Sequence, residues 1–217
     1  AEPLEDGREF RRPTPDWWVD DEGLHGPDGL TLPMHLRVPG RANRGNAAQA
    51  VAAAVNMLVS AEDAVRAAES VDDVAGRYTT IQLEDHDIHL LLAKNPAGWQ
   101  EALNMVDRTA DSLVIAVNGQ EADGIDLSWL WDVRFENFSD TAVFCSGERG
   151  TDLSVRLTYA GVEHELIHDP LAAIRACPPG RVEVLANYTS FRDLFRELRH
   201  LTGAGAGTAD DPTSRNQ

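Results

Sequence analysis

From Arg77 onward the chain alternates short apolar runs with amphipathic stretches, and this alternation constrains its fold more than any other feature. Strand patterning falls at residues 88–93, 112–118, 141–146, 165–168 and 181–186. Helical patterning lies between these strands at residues 96–105, 126–135, 151–159 and 170–175, with a last helix over 190–201. The runs Leu113-Val114-Ile115-Ala116-Val117 and Ala142-Val143-Phe144-Cys145 are apolar at consecutive positions, as strands covered on both faces must be. Strands and helices in this order predict an α/β fold with a doubly wound, mostly parallel, Rossmann-like sheet.

The preceding stretch reads differently. Residues 1–29 carry Pro3, Pro13, Pro15, Pro27 and several glycines without sustained period, which predicts loop or loosely packed connection. Residues 30–38 alternate well enough for a strand, and Pro33 favours an edge position. Pro39-Gly40 turns the chain into an Ala-rich helix over 43–58. A second helix is expected over 61–70, with Ser60 as N-cap and Glu62 and Asp63 in its first turn. The tail from Gly203 is low in complexity and is expected to be disordered. The chain starts at Ala1 rather than Met and runs straight into an irregular charged stretch, so it reads as a piece of a longer protein.

Composition narrows the function classes. With 36 acidic and 19 basic residues the net charge is -17, a surface that repels phosphate backbones, so nucleic acid is not an expected partner. No apolar run reaches the roughly 18 residues of a spanning helix, and no signal-peptide pattern opens the chain, so it is not expected to span a membrane. Cys145 and Cys177 make neither a disulfide framework nor a four-cysteine zinc site, which fits a reducing cytoplasm. Lys94 is the only lysine, every other basic residue being arginine, which singles it out.

Ligands of open parallel sheets gather beyond the carboxyl ends of the strands. That points to Lys94-Asn95-Pro96, residues 118–126, Ser146-Gly147-Glu148-Arg149 and Asn187-Tyr188-Thr189. His164-Glu165-Leu166-Ile167-His168 satisfies the zinc-protease pattern, whose chemistry needs both imidazoles on one helical face. Gly161 and Asp169-Pro170 leave no room for that helix, and on a strand the rings would stand about 13 Å apart. Glu84-Asp85-His86-Asp87-Ile88-His89 resembles a metal cluster, but a solvated turn before a strand is the favoured reading. Cys145 lacks the Gly-x-Cys-x-Gly elbow of an amidotransferase nucleophile and reads as a small buried hydrophobe. Neither G-x-x-x-x-G-K-[ST] nor G-x-G-x-x-G occurs, so a phosphate cradle of either kind would have to lie elsewhere. The densest unusual segment is Asp123-Gly124-Ile125-Asp126-Leu127-Ser128-Trp129-Leu130-Trp131-Asp132. A helix N-terminus capped by Asp126 explains its tryptophans but not so many carboxylates, and a functional reading stands beside the structural one.

Three phrases, taken together and in order, resemble a known family. They are Leu92-Ala93-Lys94-Asn95-Pro96-Ala97-Gly98, then Ala122 through Asp132, then Ala186-Asn187-Tyr188-Thr189. This order resembles the MurT family, the Mur-ligase-like subunits of lipid II isoglutaminyl synthase. Gly40-Arg41-Ala42-Asn43-Arg44-Gly45-Asn46-Ala47-Ala48 is similar to the Asn-rich turn that opens an Ala-rich helix in Mur ligases, and Gly76-Arg77 to the end of their central domain. The resemblance runs from about residue 30 to residue 201.

It implies residues 1–76 as the remnant of a Mur ligase central, ATP-binding domain, 77–202 as a Mur ligase C-terminal domain and 203–217 as a disordered tail. It implies a subunit that uses ATP and Mg2+ in the complete enzyme to activate the α-carboxylate of D-glutamate in the lipid II stem peptide. Ammonia released by a GatD-type glutamine amidotransferase partner then gives D-isoglutamine. A P-loop and an inserted zinc ribbon are implied only for the part this sequence lacks. No metal site is expected in the present chain, and the work would be done in the cytoplasm at the inner face of the plasma membrane. By analogy, Lys94 and Arg77 would serve the transferring phosphoryl group, Asn95 would also bind nucleotide or substrate, and Asn46 matches a position that contacts adenine. Asp126, with Asp132 as the second choice, would reach the partner's histidine and complete a Cys-His-Asp arrangement. The alternative is an interaction module without chemistry, docking a glutaminase-like partner through the Trp129 face.

Overall fold

The computed structural model describes residues 13–203 except 73–76, 108, 137, 139 and 140. The chain divides into two compact units, Ala1–Asp72 and Asp73–Gln217. The expected tail beyond Gly203, and Gly76, lie outside the described residues.

In the first unit, β1 (Trp18–Val19), β2 (Leu24–His25) and β3 (Thr31–Leu32) form a small antiparallel sheet in that order. Residues 18–25, expected to be loop, therefore hold two strands, and the strand expected over 30–38 shrinks to two residues because Pro33 ends its hydrogen bonding. Leu24 and Met34 pack with Ala48 and Val51 of α1 (Arg41–Asn56) and with Ala64 and Val65 of α2 (Ala61–Glu69). Ser60 caps α2 as its sequence predicts, accepting from the Asp63 amide at 3.1 Å.

α1 ends in a left-handed turn. The Val59 amide reaches back to the Ala54 carbonyl, and Leu58 between them holds φ 68°. That position favours glycine, because a Cβ crowds the following carbonyl in left-handed geometry. Leu58 is also 96% exposed, so its side chain gains nothing there. Leu58→Gly is therefore expected to stabilise this unit by about 1 kcal/mol, read as a higher urea midpoint at unchanged slope. An unchanged or lower midpoint would contradict it.

The second unit carries one six-stranded sheet in the order β4-β5-β9-β6-β7-β8. Its strands are β4 (Tyr78–Leu83), β5 (His86–Leu92), β6 (Ser112–Ala116), β7 (Ala142–Ser146), β8 (His164–Leu166) and β9 (Gly180–Ala186). All neighbours pair in parallel except β4 and β5, which form a hairpin about Glu84-Asp85. The acidic run before residue 88 is thus that hairpin's turn followed by strand. His86 is buried there rather than solvated, with Nε2 3.1 Å from the Cys177 carbonyl. Helices α3 (Pro96–Met105), α4 (Gly150–Tyr159) and α5 (Pro170–Ala176) join successive strands, and α6 (Tyr188–Leu201) follows β9.

Ile88, Leu90, Val114, Ala116, Val182 and Val184 meet Leu171, Ile174, Phe191, Leu194 and Leu198 of α5 and α6 on one face. The alternate residues Leu113, Ile115, Val143, Cys145 and Leu185 are buried on the opposite face, as period-two side chains require. α4 packs against β7 and β8. The sheet is thus doubly covered and mostly parallel, as the alternation predicts. The helix expected over 126–135 is replaced by a single 3-10 turn, Ser128–Asp132. No helix among the described residues is long and apolar enough to cross a membrane.

Candidate functional site

Four loops meet at the carboxyl edge of the sheet, and they are the four that the strand pattern singles out. The Asn187 carboxamide accepts from the Asn118 amide at 3.0 Å and donates to the Asn118 carbonyl at 2.7 Å, which ties the loop after β6 to the start of α6. The Asn118 side chain in turn accepts from the Glu148 amide at 3.0 Å, tying in the loop after β7. Gly147 turns that loop at φ 90°, and a Cβ there would overlap the Val117 carbonyl, so only glycine lets the two loops approach.

The carboxylates of the Ala122–Asp132 phrase separate by environment. Asp123 accepts from the Thr189 amide at 2.9 Å and from the Thr189 hydroxyl, holding the first turn of α6. Asp126 is exposed and accepts from the Ser128 amide at 2.8 Å. That backbone hydrogen bond, helped by the Ser128 hydroxyl, holds the Asp126 carboxyl below the usual carboxylate range, so it is ionised at neutral pH. Asp132 is exposed and makes no hydrogen bond among the described residues.

The aromatic residues divide as well. Trp129 is half-buried, stacked on Trp99 with ring centroids 5.5 Å apart, so it is a packing residue. Trp131 is 56% exposed and meets Tyr159 edge-on at 5.4 Å. The outward aromatic of this face is therefore Trp131, not Trp129. Ile125, Asp126, Leu130, Trp131, Arg149 and Asp152 line a groove of about 380 Å3. Arg149 pairs with Asp152 at 2.7 Å along it.

Behind the groove stands Arg156, which nothing in the sequence marks apart from the other arginines. The residue is buried, 6% exposed. Its guanidinium donates to the carbonyls of Leu130 at 3.2 Å and Val133 at 2.8 Å, and to Glu136 at 2.8 Å. The rings of Trp131 and Phe135 lie 5.6 and 5.4 Å from its centre. One buried cation thus folds the irregular segment that carries Asp126 and Asp132 onto α4.

The remaining expected residues are scattered. Lys94 is exposed, and its Nζ lies 4.7 Å from the centroid of the Tyr188 ring. Asn95 caps α3, accepting from the Gly98 amide at 2.8 Å, so its side chain is committed to the helix. Arg77 is exposed in the turn before β4. Asn46 is exposed on α1, in the other unit. His164 and His168 lie on and beyond β8, not on a helix. His164 is held by Ser154 at 2.7 Å, and His168 lies 3.1 Å from the Gly147 carbonyl. Burial pushes the Cys145 thiol up to about 11, the range of an unreactive thiol.

Residues 92–191 match a family described as MurT ligase C-terminal. The chain is 30% identical over 174 residues to the lipid II isoglutaminyl synthase (glutamine-hydrolyzing) subunit MurT of Streptococcus pneumoniae, covering 75% of this chain and 39% of that protein. It is 27% identical over 179 residues to the same subunit of Staphylococcus aureus (strain COL), covering 78% and 41%. The chain therefore spans about 40% of the length of these curated relatives. Among solved structures it resembles a pseudomurein peptide ligase type C from Methanothermus fervidus, with TM-score 0.62 and 16% identity over 91% of this chain and 44% of that one. It also resembles MurF from Acinetobacter baumannii, with TM-score 0.59 and 19% identity over 82% and 42%. At these identities the structures show the fold, that of Mur ligases.

Proposed function

Since this chain resembles the C-terminal part of MurT, with the family match running over residues 92–191, we propose that it is the C-terminal portion of an ATP-dependent amide ligase subunit. The subunit would act on lipid II, converting the α-carboxylate of its D-glutamate to the amide with ammonia from a GatD-type glutaminase. The observation that carries this reading is the groove beside Asp126, where an exposed, ionised carboxylate stands next to an exposed tryptophan. A carboxylate serving a histidine of another subunit has to lie on such a face, with its charge free on one side.

Each residue's part follows from its surroundings. Asp126 would accept from the partner's imidazole, fix its tautomer and stabilise it when protonated. Asp132 is the second choice for that role. ATP would supply the phosphoryl group that activates the carboxylate. Lys94 fits a phosphoryl group because its ammonium is exposed and makes no ion pair among the described residues. Arg77 is the second cation of this reading. Asn95 would act by fixing the start of α3, and Asn46 by contacting the adenine. Residues 1–76 read as the end of a central domain and 77–202 as the ligase C-terminal domain, working at the cytoplasmic face of the membrane.

The test is co-elution of the complete subunit with its glutaminase on size exclusion. Replacement of Trp131 by alanine, with charge reversal at Asp126 and Asp132, is expected to abolish it while the far-UV spectrum stays unchanged. Unchanged co-elution would move the docking site elsewhere. A pure docking module would co-elute equally but support no amidation in the complete complex. The chain as given is also expected to bind ATP and magnesium only weakly, since a phosphate cradle supplies most of the binding groups and neither glycine-rich pattern occurs in it. Calorimetric titration giving a micromolar affinity would contradict that.

A further inference from the structure

The parallel register of β5 and β9 brings together two residues far apart in sequence. Leu92 pairs with Ala186, and the Ala93 amide carries the ladder one step further by donating to the Ala186 carbonyl at 2.9 Å. Lys94 and Tyr188 each follow by two residues, and the ammonium comes to rest over the phenol ring.

An aromatic face attracts a cation without neutralising it, so its charge and the N–H donors turned away from the ring remain available to an anion. A carboxylate partner would have consumed that charge, and on a chain of net charge -17 carboxylates are plentiful. Lys94 makes no ion pair with any described residue. Tyr188 itself is fixed from both sides. Asn187 before it is locked to Asn118, and Thr189 after it to Asp123.

We propose that Tyr188 is the positioning residue that holds the Lys94 ammonium ready for the phosphoryl group, and that Asp123, acting through Thr189, sets Tyr188. The proposal rests on the reading of Lys94 as a phosphoryl-handling cation. The three phrases of the sequence, around Lys94, Asp123 and Tyr188, are then one device in which each fixes the next.

Because Lys94 is the only lysine, reductive 13C-methylation of this chain gives one side-chain NMR signal besides the terminal amine. That signal is expected upfield of a free lysine, shifted by the Tyr188 ring current. Tyr188→Phe should preserve the shift, Tyr188→Leu should abolish it and Asp123→Ala should reduce it. In the complete two-subunit enzyme Tyr188→Leu should lower kcat about tenfold with little change in the KM for ATP, and Tyr188→Phe should restore most of it. An unmoved NMR signal in Tyr188→Leu would overturn the proposal. So would an unchanged kcat in that variant when Lys94→Gln is inactive. If Lys94→Gln keeps full activity, the reading of Lys94 fails instead, and the NMR result shows separately whether the ring holds the cation.

Discussion

Asp126→Asn in the complete complex is expected to cut glutamine-dependent amidation by up to about 10⁴-fold while leaving subunit assembly largely intact. The substitution is isosteric, and the remaining carboxamide oxygen can still accept from the Ser128 amide that now holds the carboxylate at 2.8 Å. The local turn should therefore survive. What goes is the negative charge that would stabilise an imidazolium, and the carboxamide can also hold the ring in the wrong tautomer. Free ammonium at high pH bypasses the glutaminase, so amidation should recover substantially when it is supplied. A damaged ligase domain would not respond to ammonium, which separates a role in the triad from a role in the fold. If Asp126→Asn keeps full glutaminase activity and Asp132→Asn loses it, the second carboxylate is the one that reaches across. Full activity in both variants would exclude a cross-subunit triad for this chain.

Arg156→Leu should be the most destabilising single change on this face. It strands the buried carbonyls of Leu130 and Val133, and each unpaired buried acceptor costs roughly 1–3 kcal/mol. A total of roughly 3 kcal/mol would lower the melting temperature by roughly 10 °C. Arg156→Lys should recover part of the loss, because an ammonium can reach one carbonyl but cannot span two with a planar fork. On the proposed reading, the functional signature is loss of co-elution with the glutaminase at temperatures where far-UV ellipticity persists, since the segment that carries Asp126, Trp131 and Asp132 should come free first. If Arg156→Leu melts with the wild type, the segment is held by its apolar residues alone.

Much of the second unit was legible in the sequence. α3 begins and ends where its pattern predicts, with Pro96 at its first position and Asn95 as cap. The strands of the sheet interior announce themselves as doubly apolar runs because both of their faces are covered. β4 escaped for the converse reason. Tyr78–Leu83 is an edge strand with polar Thr80 and Gln82 on its path, so it lacks the continuous apolar run of a central strand. The segment over 126–135 misled because its apolar residues are spaced for a helix. The Asp126 side chain bonds the Ser128 amide, and Arg156 takes the carbonyls of Leu130 and Val133, so the backbone is satisfied outside a helical ladder.

Alone, the sequence determined the alternation of elements, the Ser60 cap of α2 and the three phrases that resemble the MurT family. These are local properties, written in spacing and in residue type. Only the tertiary structure decided which of the carboxylates is committed to α6, which tryptophan faces outward and which arginine is buried behind them. It also inserted β9 between β5 and β6, and that strand order is what brings Tyr188 beneath Lys94. Periodicity reports whether a residue faces a core, but strand order depends on how crossovers pack onto a twisted sheet. The partners of Lys94, Asp123 and Arg156 lie 20 to 94 residues away and leave no trace in the local pattern.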